Sequence, residues 1–257
     1  MSMYDGLAGK YDQMIRWKSR LERETPFLQN LFTEKRIRKV VDLACGSGHH
    51  CKLFHKWGCE VIGIDPSEEL LKIAKEGLSE EDESIRFIKA DFQNFNEYID
   101  TEVDAVFCLG NSLPHILSIE DMKTALGNVN KILKPGGVFV FQNRNYDKLL
   151  GSKDRFQFPT TFRAADNEEI FFRFNDFENT NIRFNIVHFT RVGDRWIHEV
   201  FSTKLMPWQY EDFSAMITEI GFAGQHYYGD FTGTPFDPDS STDLVGLVRK
   251  QEVAVLE

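Results

Sequence analysis

Apolar and polar positions along this chain follow helical and strand rhythms in alternation for about the first 150 residues. Residues 1–36 read as helical, with WKSRLERETPFLQNLF amphipathic in its second half. RKVVDLAC then predicts a short strand, HHCKLFHKW a helix and CEVIGID a second strand. Ser67 is placed to cap a helix, EELLKIAKEGL, that ends in the acidic loop SEEDES. IRFIKAD and VDAVFCLG predict the third and fourth strands. Ser118 and Asp121 form a capping-box pattern before a helix in which Ile119, Met122, Leu126, Val129 and Leu133 keep a period near 3.6. KPGG breaks that helix, and VFVF follows as a fifth strand.

The rhythm changes after residue 155. EEIFFRFNDFE, IRFNIVHFTRV and WIHEVFSTKL are strand-like and joined by Asn-rich and Gly-Asp turns, with no helix between them. The helical period returns in YEDFSAMITEI, before strands near GQHYYG and DLVGLVR. Alternating strands and helices imply right-handed crossovers. The expected fold is therefore α/β: a doubly wound, mostly parallel seven-stranded sheet with an antiparallel β cap inserted after the fifth strand. The expected division is 1–155, an inserted cap over 156–208, and 209–257 completing the main sheet.

The chain has 257 residues, enough for a sizeable core, and its 42% hydrophobic and 27% charged content is that of a globular protein. A net charge of -10 argues against sequence-independent nucleic-acid binding, which depends on clustered Lys and Arg. MSMYDGLAGKYDQ lacks the basic-then-apolar order of a signal peptide, and no apolar run reaches the ~20 residues of a membrane span. Cys45, Cys51, Cys59 and Cys108 form no CxxC pair, so reduced thiols in a cytoplasmic protein without a metal are expected.

Candidate chemistry begins at VVDLACGSGHH, where Gly46 and Gly48 join the first strand to a helix. Such a loop lets a ligand approach the backbone, and the helix start offers unpaired N–H groups. A nicotinamide-type loop would require a third glycine where Cys51 stands. Asp42 precedes the loop, and Asp65 and Asp91 end the second and third strands. Asp65 follows Gly46 by 19 residues, a spacing at which a carboxylate takes ribose hydroxyls. Asp42 would repel a pyrophosphate by roughly 4 kcal/mol at 4 Å and an effective dielectric near 20. A cofactor carrying ammonium and sulfonium charges suits the loop better.

These segments resemble the class I S-adenosylmethionine-dependent methyltransferases: VVDLACGSG as the first motif, VIGIDPSEELLKIAKE after it, FIKADF as the adenine-side segment, then the fourth strand and KPGG. The resemblance implies a Rossmann-like sheet and S-adenosyl-L-methionine as cofactor. It makes 1–155 the cofactor-binding core with an N-terminal helical lid. It assigns Ala44, Gly46 and Gly48 to the cofactor loop, Asp42 to its positive charge and Asp65 to the ribose. Asp91 and Phe92 would flank the adenine. Tyr11 and Arg20 match the family's lid, Arg20 reaching the methionine carboxylate; the alternative for Arg20 and Arg23 is a solvated helix face.

CLGNSLPHI carries Asn111 where DNA and protein amide methyltransferases usually show N-P-P-Y. With NRNYD, it is similar to the glycine N-methyltransferase group, including the glycine/sarcosine enzymes. That likeness implies cofactor contacts at Leu109 and His115, an amino-acid contact at Asn111, and a substrate carboxylate held by Arg144 of the segment that also holds Tyr146. Arginine suits that task because its guanidinium grips a carboxylate with two parallel hydrogen bonds. Alternatives are an Arg144 pair with Asp147 or another carboxylate, and a packed core histidine at His115. Another small metabolite, such as an amino sugar or hydroxyl compound, is the alternative acceptor. His49 and His50 read as surface residues at a helix start. Phe171, Phe172, Phe174, Phe177, Phe184 and Phe189 read as packing, with an aromatic cage for an ammonium group as the alternative. Small-molecule recognition by a monomer or homodimer, with no nucleic acid and no membrane, is the expected partnership.

Overall fold

Five apolar strands bring their carboxyl ends to one side of a sheet, and that side is where the site forms. In the computed structural model, which describes residues 3–79, 82–164 and 167–252, these are β1 (Lys39–Leu43), β2 (Glu60–Asp65), β3 (Ile85–Lys89), β4 (Val103–Cys108) and β5 (Leu133–Arg144). All five run parallel. β11 (Asp243–Lys250) returns antiparallel to β5, and β10 (Phe222–Tyr228) antiparallel to β11. The order β10-β11-β5-β4-β1-β2-β3 completes the seven-stranded, mostly parallel sheet that the sequence predicts.

Side-chain alternation builds a core on each face of this sheet. Val41, Val106, Phe139 and Phe141 pack toward α5 (Ile119–Ile132) and α7 (Tyr210–Glu219). Val40, Phe107, Val138 and Val140 pack toward α2 (Trp17–Lys35) and α3 (His49–Lys56). The remaining helices are α1 (Met3–Ile15), α4 (Glu68–Lys75) and α6 (Tyr146–Ser152). Ser67 Oγ accepts the Leu70 N–H at 3.3 Å and Ser118 Oγ that of Asp121 at 3.1 Å, so both expected caps are in place. Among the described residues no helix is long and apolar enough to cross a membrane.

Three local features refine or correct the sequence pattern. The N-terminal helix is two helices, because Arg16 takes a left-handed conformation (φ 55°) between α1 and α2. Leu133 opens β5 instead of closing α5. Val103 pairs with Leu133 but Ala105 with Val138, so KPGG bulges out of the ladder, where Pro135 has no N–H to donate. The third is α6, which follows the site segment directly and is capped by Asn145, whose side chain accepts the Lys148 N–H at 3.1 Å.

β6 (Thr160–Ala164), β7 (Asn167–Phe177), β8 (Ile182–Val192) and β9 (Arg195–Leu205) form a separate antiparallel four-stranded sheet. Phe171 and Ile186 on one face of it bury against Leu7 and Met14 of α1. α1 thus lies between the cap and the main sheet. Phe172 and Phe174 stack instead with Phe156, and of the six aromatics singled out in the cap sequence only Phe184 reaches the cavity described below. The other five lie outside that cavity, and Phe177 carries the Lys153 ammonium 4.8 Å above its ring.

Candidate active site

The turn Gly110-Asn111 follows β4, and Gln142 to Arg144 end β5, its parallel neighbour. Gly110 N–H donates to the Gln142 side chain at 2.7 Å, and Asn111 N–H to the Gln142 carbonyl at 2.9 Å. Asn111 is itself left-handed (φ 66°), a conformation that a non-glycine residue holds only where the surroundings fix it. Its Oδ1 accepts the Arg144 N–H at 2.9 Å, and its amide meets the Tyr146 hydroxyl at 3.0 Å. Two segments separated by 33 residues are therefore locked into one unit through a side chain.

This unit forms one wall of a cavity of about 660 Å³, within the range of small-molecule sites. Tyr11, Arg20, Asn111, His115, Arg144 and Tyr146 all line it. Arg20 is not on a solvated face. Its Nε donates to Glu24 at 2.8 Å, the guanidinium lies over the Trp17 ring, and Nη2 is buried without a partner among the described residues. Arg23 is the exposed one. Glu24 also accepts from His50 Nε2 at 2.6 Å, so His50 is a buried residue and not a surface one. His49 stacks on Trp17 and meets Asp12 at 3.0 Å.

Arg144 does not pair with Asp147, which accepts from Tyr210 N at 3.0 Å and Gln209 Nε2 at 3.2 Å. Arg144 Nη2 donates to the side-chain carbonyl of Gln157 at 2.8 Å. A guanidinium so held keeps its charge facing the cavity without neutralisation by that partner. His115 Nε2 meets the Tyr4 hydroxyl at 2.8 Å, and burial pushes its pKa down to about 4, so the imidazole is neutral in the neutral pH range. Burial raises the Tyr146 phenol to about 12 and that of Tyr4 well above 10.0.

The glycine-loop residues lie apart from this cavity, beneath α1. Asp65 accepts the Gly46 N–H at 2.9 Å and the Ser67 N–H at 2.8 Å, and burial raises its pKa. Asp5 and Asp12 of α1 accept from Ser67 and Ser47, tying the helix across the loop. Asp42 is 2% exposed, accepts the Cys51 thiol at 3.2 Å, and is raised to about 6 by burial. It does not line the cavity. Ala44 and Gly46 both have φ of 56°, and Gly48 has φ of 76°. Leu109 is buried at the end of β4. Asp91 is exposed and holds its own turn through the Gln93 and Asn94 N–H groups, while Phe92 packs against the sheet core.

The donor set fits a cationic cofactor with an amino-acid end. A buried, unpartnered guanidinium nitrogen on Arg20 calls for an anion. Carboxylates at the ends of β1 and β2 suit positive charge. A Cβ on Gly46 would stand 3.6 Å from the Tyr11 ring, where the loop backbone meets α1. Sequence reasoning did not single out Tyr4, Glu24, Gln142, Gln157 or Arg173. Tyr4 had a signal: it precedes Tyr11 by seven residues, two turns along the same helix face. The others are brought in by contacts far apart in sequence.

A family model described as a methyltransferase domain matches residues 40–137. A glycine/sarcosine N-methyltransferase of Parasynechococcus marenigrum is 30% identical over 232 residues, covering 90% of this chain and 79% of that protein. The chain belongs to the class I S-adenosylmethionine-dependent methyltransferases. S-Adenosyl-L-methionine is its cofactor. Solved structures share the fold: an S-adenosylmethionine-dependent methyltransferase from Clostridium acetobutylicum (TM-score 0.77, 21% identity, 96% of this chain and 99% of that one) is one. The sugar N-methyltransferase KedS8 from Streptoalloteichus sp. is another (TM-score 0.76, 19% identity, 94% and 93%).

Proposed function

We propose that this methyltransferase acts on the amine of a small amino acid of the glycine/sarcosine type, with Arg144 holding the acceptor's carboxylate. The observation that carries the reading is Arg144 itself: its backbone N–H is fixed by Asn111, and its guanidinium is held by the neutral Gln157 at the edge of the cavity. The carboxyl end of a parallel strand, where this guanidinium stands, is where such sheets take ligands, and the nearby Asp243 carboxylate also feels its charge. The curated relative's glycine/sarcosine specificity supports the same class.

Arg20 would take the methionine carboxylate, beside Tyr11 and His115, with Leu109 at the same strand end. Gly46 and Gly48, with Ala44, would let the cofactor pass close to the loop backbone. Asp65 would add the ribose hydroxyls to its two backbone bonds, since each carboxylate oxygen accepts more than one hydrogen. Asp91 and Phe92 would stand at the adenine, and Asp42 would act on the cofactor's positive charge through the loop. Bound S-adenosylmethionine would supply an electrophilic methyl group to the lone pair of the acceptor's amine, whose proton would be lost to water. Asn111 and Tyr146 orient the acceptor, and Arg144 fixes its far end, so positioning carries the rate.

Arg144→Ala should lower glycine and sarcosine affinity by about tenfold or more, as expected for loss of a charge-assisted bidentate contact. Titration calorimetry and initial rates measure it. Unchanged affinity and turnover would remove the carboxylate clamp. An amino sugar is the second reading, since the sugar N-methyltransferase KedS8 shares this fold. Methylation of a carboxyl-free amino sugar, indifferent to Arg144→Ala, would select it.

A further inference from the structure

Five arginines face one cavity: Arg16, Arg20, Arg23, Arg144 and Arg173. Its acidic residues are Glu24, Asp230 and Asp243. Glu24 is committed to Arg20 and His50, and Asp230 to the N–H and hydroxyl of Thr232 in its own turn. Asp243 stands opposite Arg144 in the β11–β5 register. Asp243 thus stands near Arg144, a guanidinium of the main sheet, and feels its charge; a clamp for one acceptor carboxylate requires only one of the cavity's arginines.

The surplus cation is Arg173, on the cap strand β7. Its Nη2 donates to the Thr160 hydroxyl at 3.0 Å, and its Nε is buried without a partner among the described residues. Burial, then the charges of Arg144 and Arg16, press its pKa down. The charges of Arg144 and Arg16 are therefore close enough to disfavour that of Arg173. Arg144 and Arg173 have neutral hydrogen-bond partners, Gln157 and Thr160, which leaves the mutual repulsion uncompensated by those contacts. Such an arrangement is relieved by a ligand that brings more than one negative charge.

We propose that Arg173, with Arg16 at the α1–α2 break, forms a second anion subsite beside Arg144, so that a small amino acid carrying a second acidic group is a better acceptor than glycine or sarcosine. The second group is a carboxylate or a phosphate, both of which match a guanidinium fork. The inference rests on the reading of Arg144 as the clamp for the first carboxylate. It makes the cap a specificity element, because the second charge is supplied by β7 and not by the main sheet.

Two measurements test it. Calorimetry compares succinate with propionate, neither of which bears an amine, on wild-type protein and on Arg173→Gln in the presence of S-adenosylhomocysteine. Succinate should bind wild type at least about tenfold more tightly, and Arg173→Gln should erase that margin while leaving propionate unchanged. Equal affinity of the two acids in wild type, which needs no variant to fold, overturns the subsite; so does an equal loss of both in Arg173→Gln. Methyl transfer to sarcosine, L-aspartate and O-phosphoserine is then compared. Either diacidic amine exceeding sarcosine by about tenfold in kcat/KM supports the proposal, and the better of the two says whether the second group is carboxylate or phosphate. Transfer to sarcosine without a succinate preference sinks the second subsite alone. Transfer to none of the three amines sinks the amino-acid reading beneath it.

Discussion

Asp42 sits at 2% exposure under the glycine loop, where burial lifts its pKa from 3.8 to about 6. The folded state therefore binds this proton more tightly than the unfolded chain does. The stability it lends is complete below about pH 4, fades as pH rises through 6, and is gone above. A difference of about two pH units at 1.36 kcal/mol each makes the ionised carboxylate a burden of about 3 kcal/mol at pH 7. Asp42→Asn keeps the shape and the acceptor for the Cys51 thiol without the charge. Urea unfolding of both proteins from pH 4 to 8, without cofactor, should give a difference that widens by about 3 kcal/mol in favour of the variant. Taking the difference cancels the other titrating groups. With S-adenosylmethionine present the order should tighten or reverse, because the carboxylate is then opposed by positive charge. A difference flat with pH would show that Asp42 is solvated or paired in the free protein, and would refute the reasoning.

Two further perturbations probe the same frame. Glu24→Gln removes the charge that joins Arg20 to His50; breaking a buried pair costs about 3–5 kcal/mol, and cofactor affinity should fall as Arg20 loses its anchor. Burial pushes the Glu24 carboxyl up, but His50 and Arg20 outweigh it and hold its pKa below 4.5, so wild type's advantage in urea should be present above pH 4.5 and shrink in more acid solution. Gly48→Ala would place a methyl 2.8 Å from the Ala74 Cβ at a φ of 76°; roughly 2–5 kcal/mol of stability should be lost, read from the urea midpoint, and a loss under about 0.5 kcal/mol would mean that the loop does not hold this conformation.

The frame of the site was legible because its signals are local. Apolar runs marked β1 to β5, Ser67 and Ser118 marked helix starts, and the glycine loop and Asn111 fell at strand ends, where parallel sheets present them. What escaped depends on distance in sequence. His50 reads as polar at a helix start, yet Glu24, 26 residues earlier, draws it into the interior. Arg16 breaks an amphipathic pattern that continues on both sides of it, and a left-handed arginine carries no compositional mark. Arg144 was expected to meet either a carboxylate or a ligand; its partner is Gln157, from the loop leading into the cap. A resemblance anchored in the main sheet has no view of how the cap meets it, and for that reason Arg173 went unnoticed.

The protonation states around Asn111 bear on how the acceptor must be presented. His115, at about 4, is neutral above that pH, and Tyr146, at about 12, keeps its proton below that pH. Across the neutral range neither changes charge, so neither is a base poised to take a proton from an ammonium group. An amine methylated here must then reach the site already deprotonated, or lose its proton to water as it is seated. Arginines around the cavity help with that step, since a positive surrounding disfavours a second cation and lowers the pKa of a bound ammonium. Under the proposed clamp, the same charges would favour the reactive form of the acceptor's amine, joining binding and activation without a dedicated base.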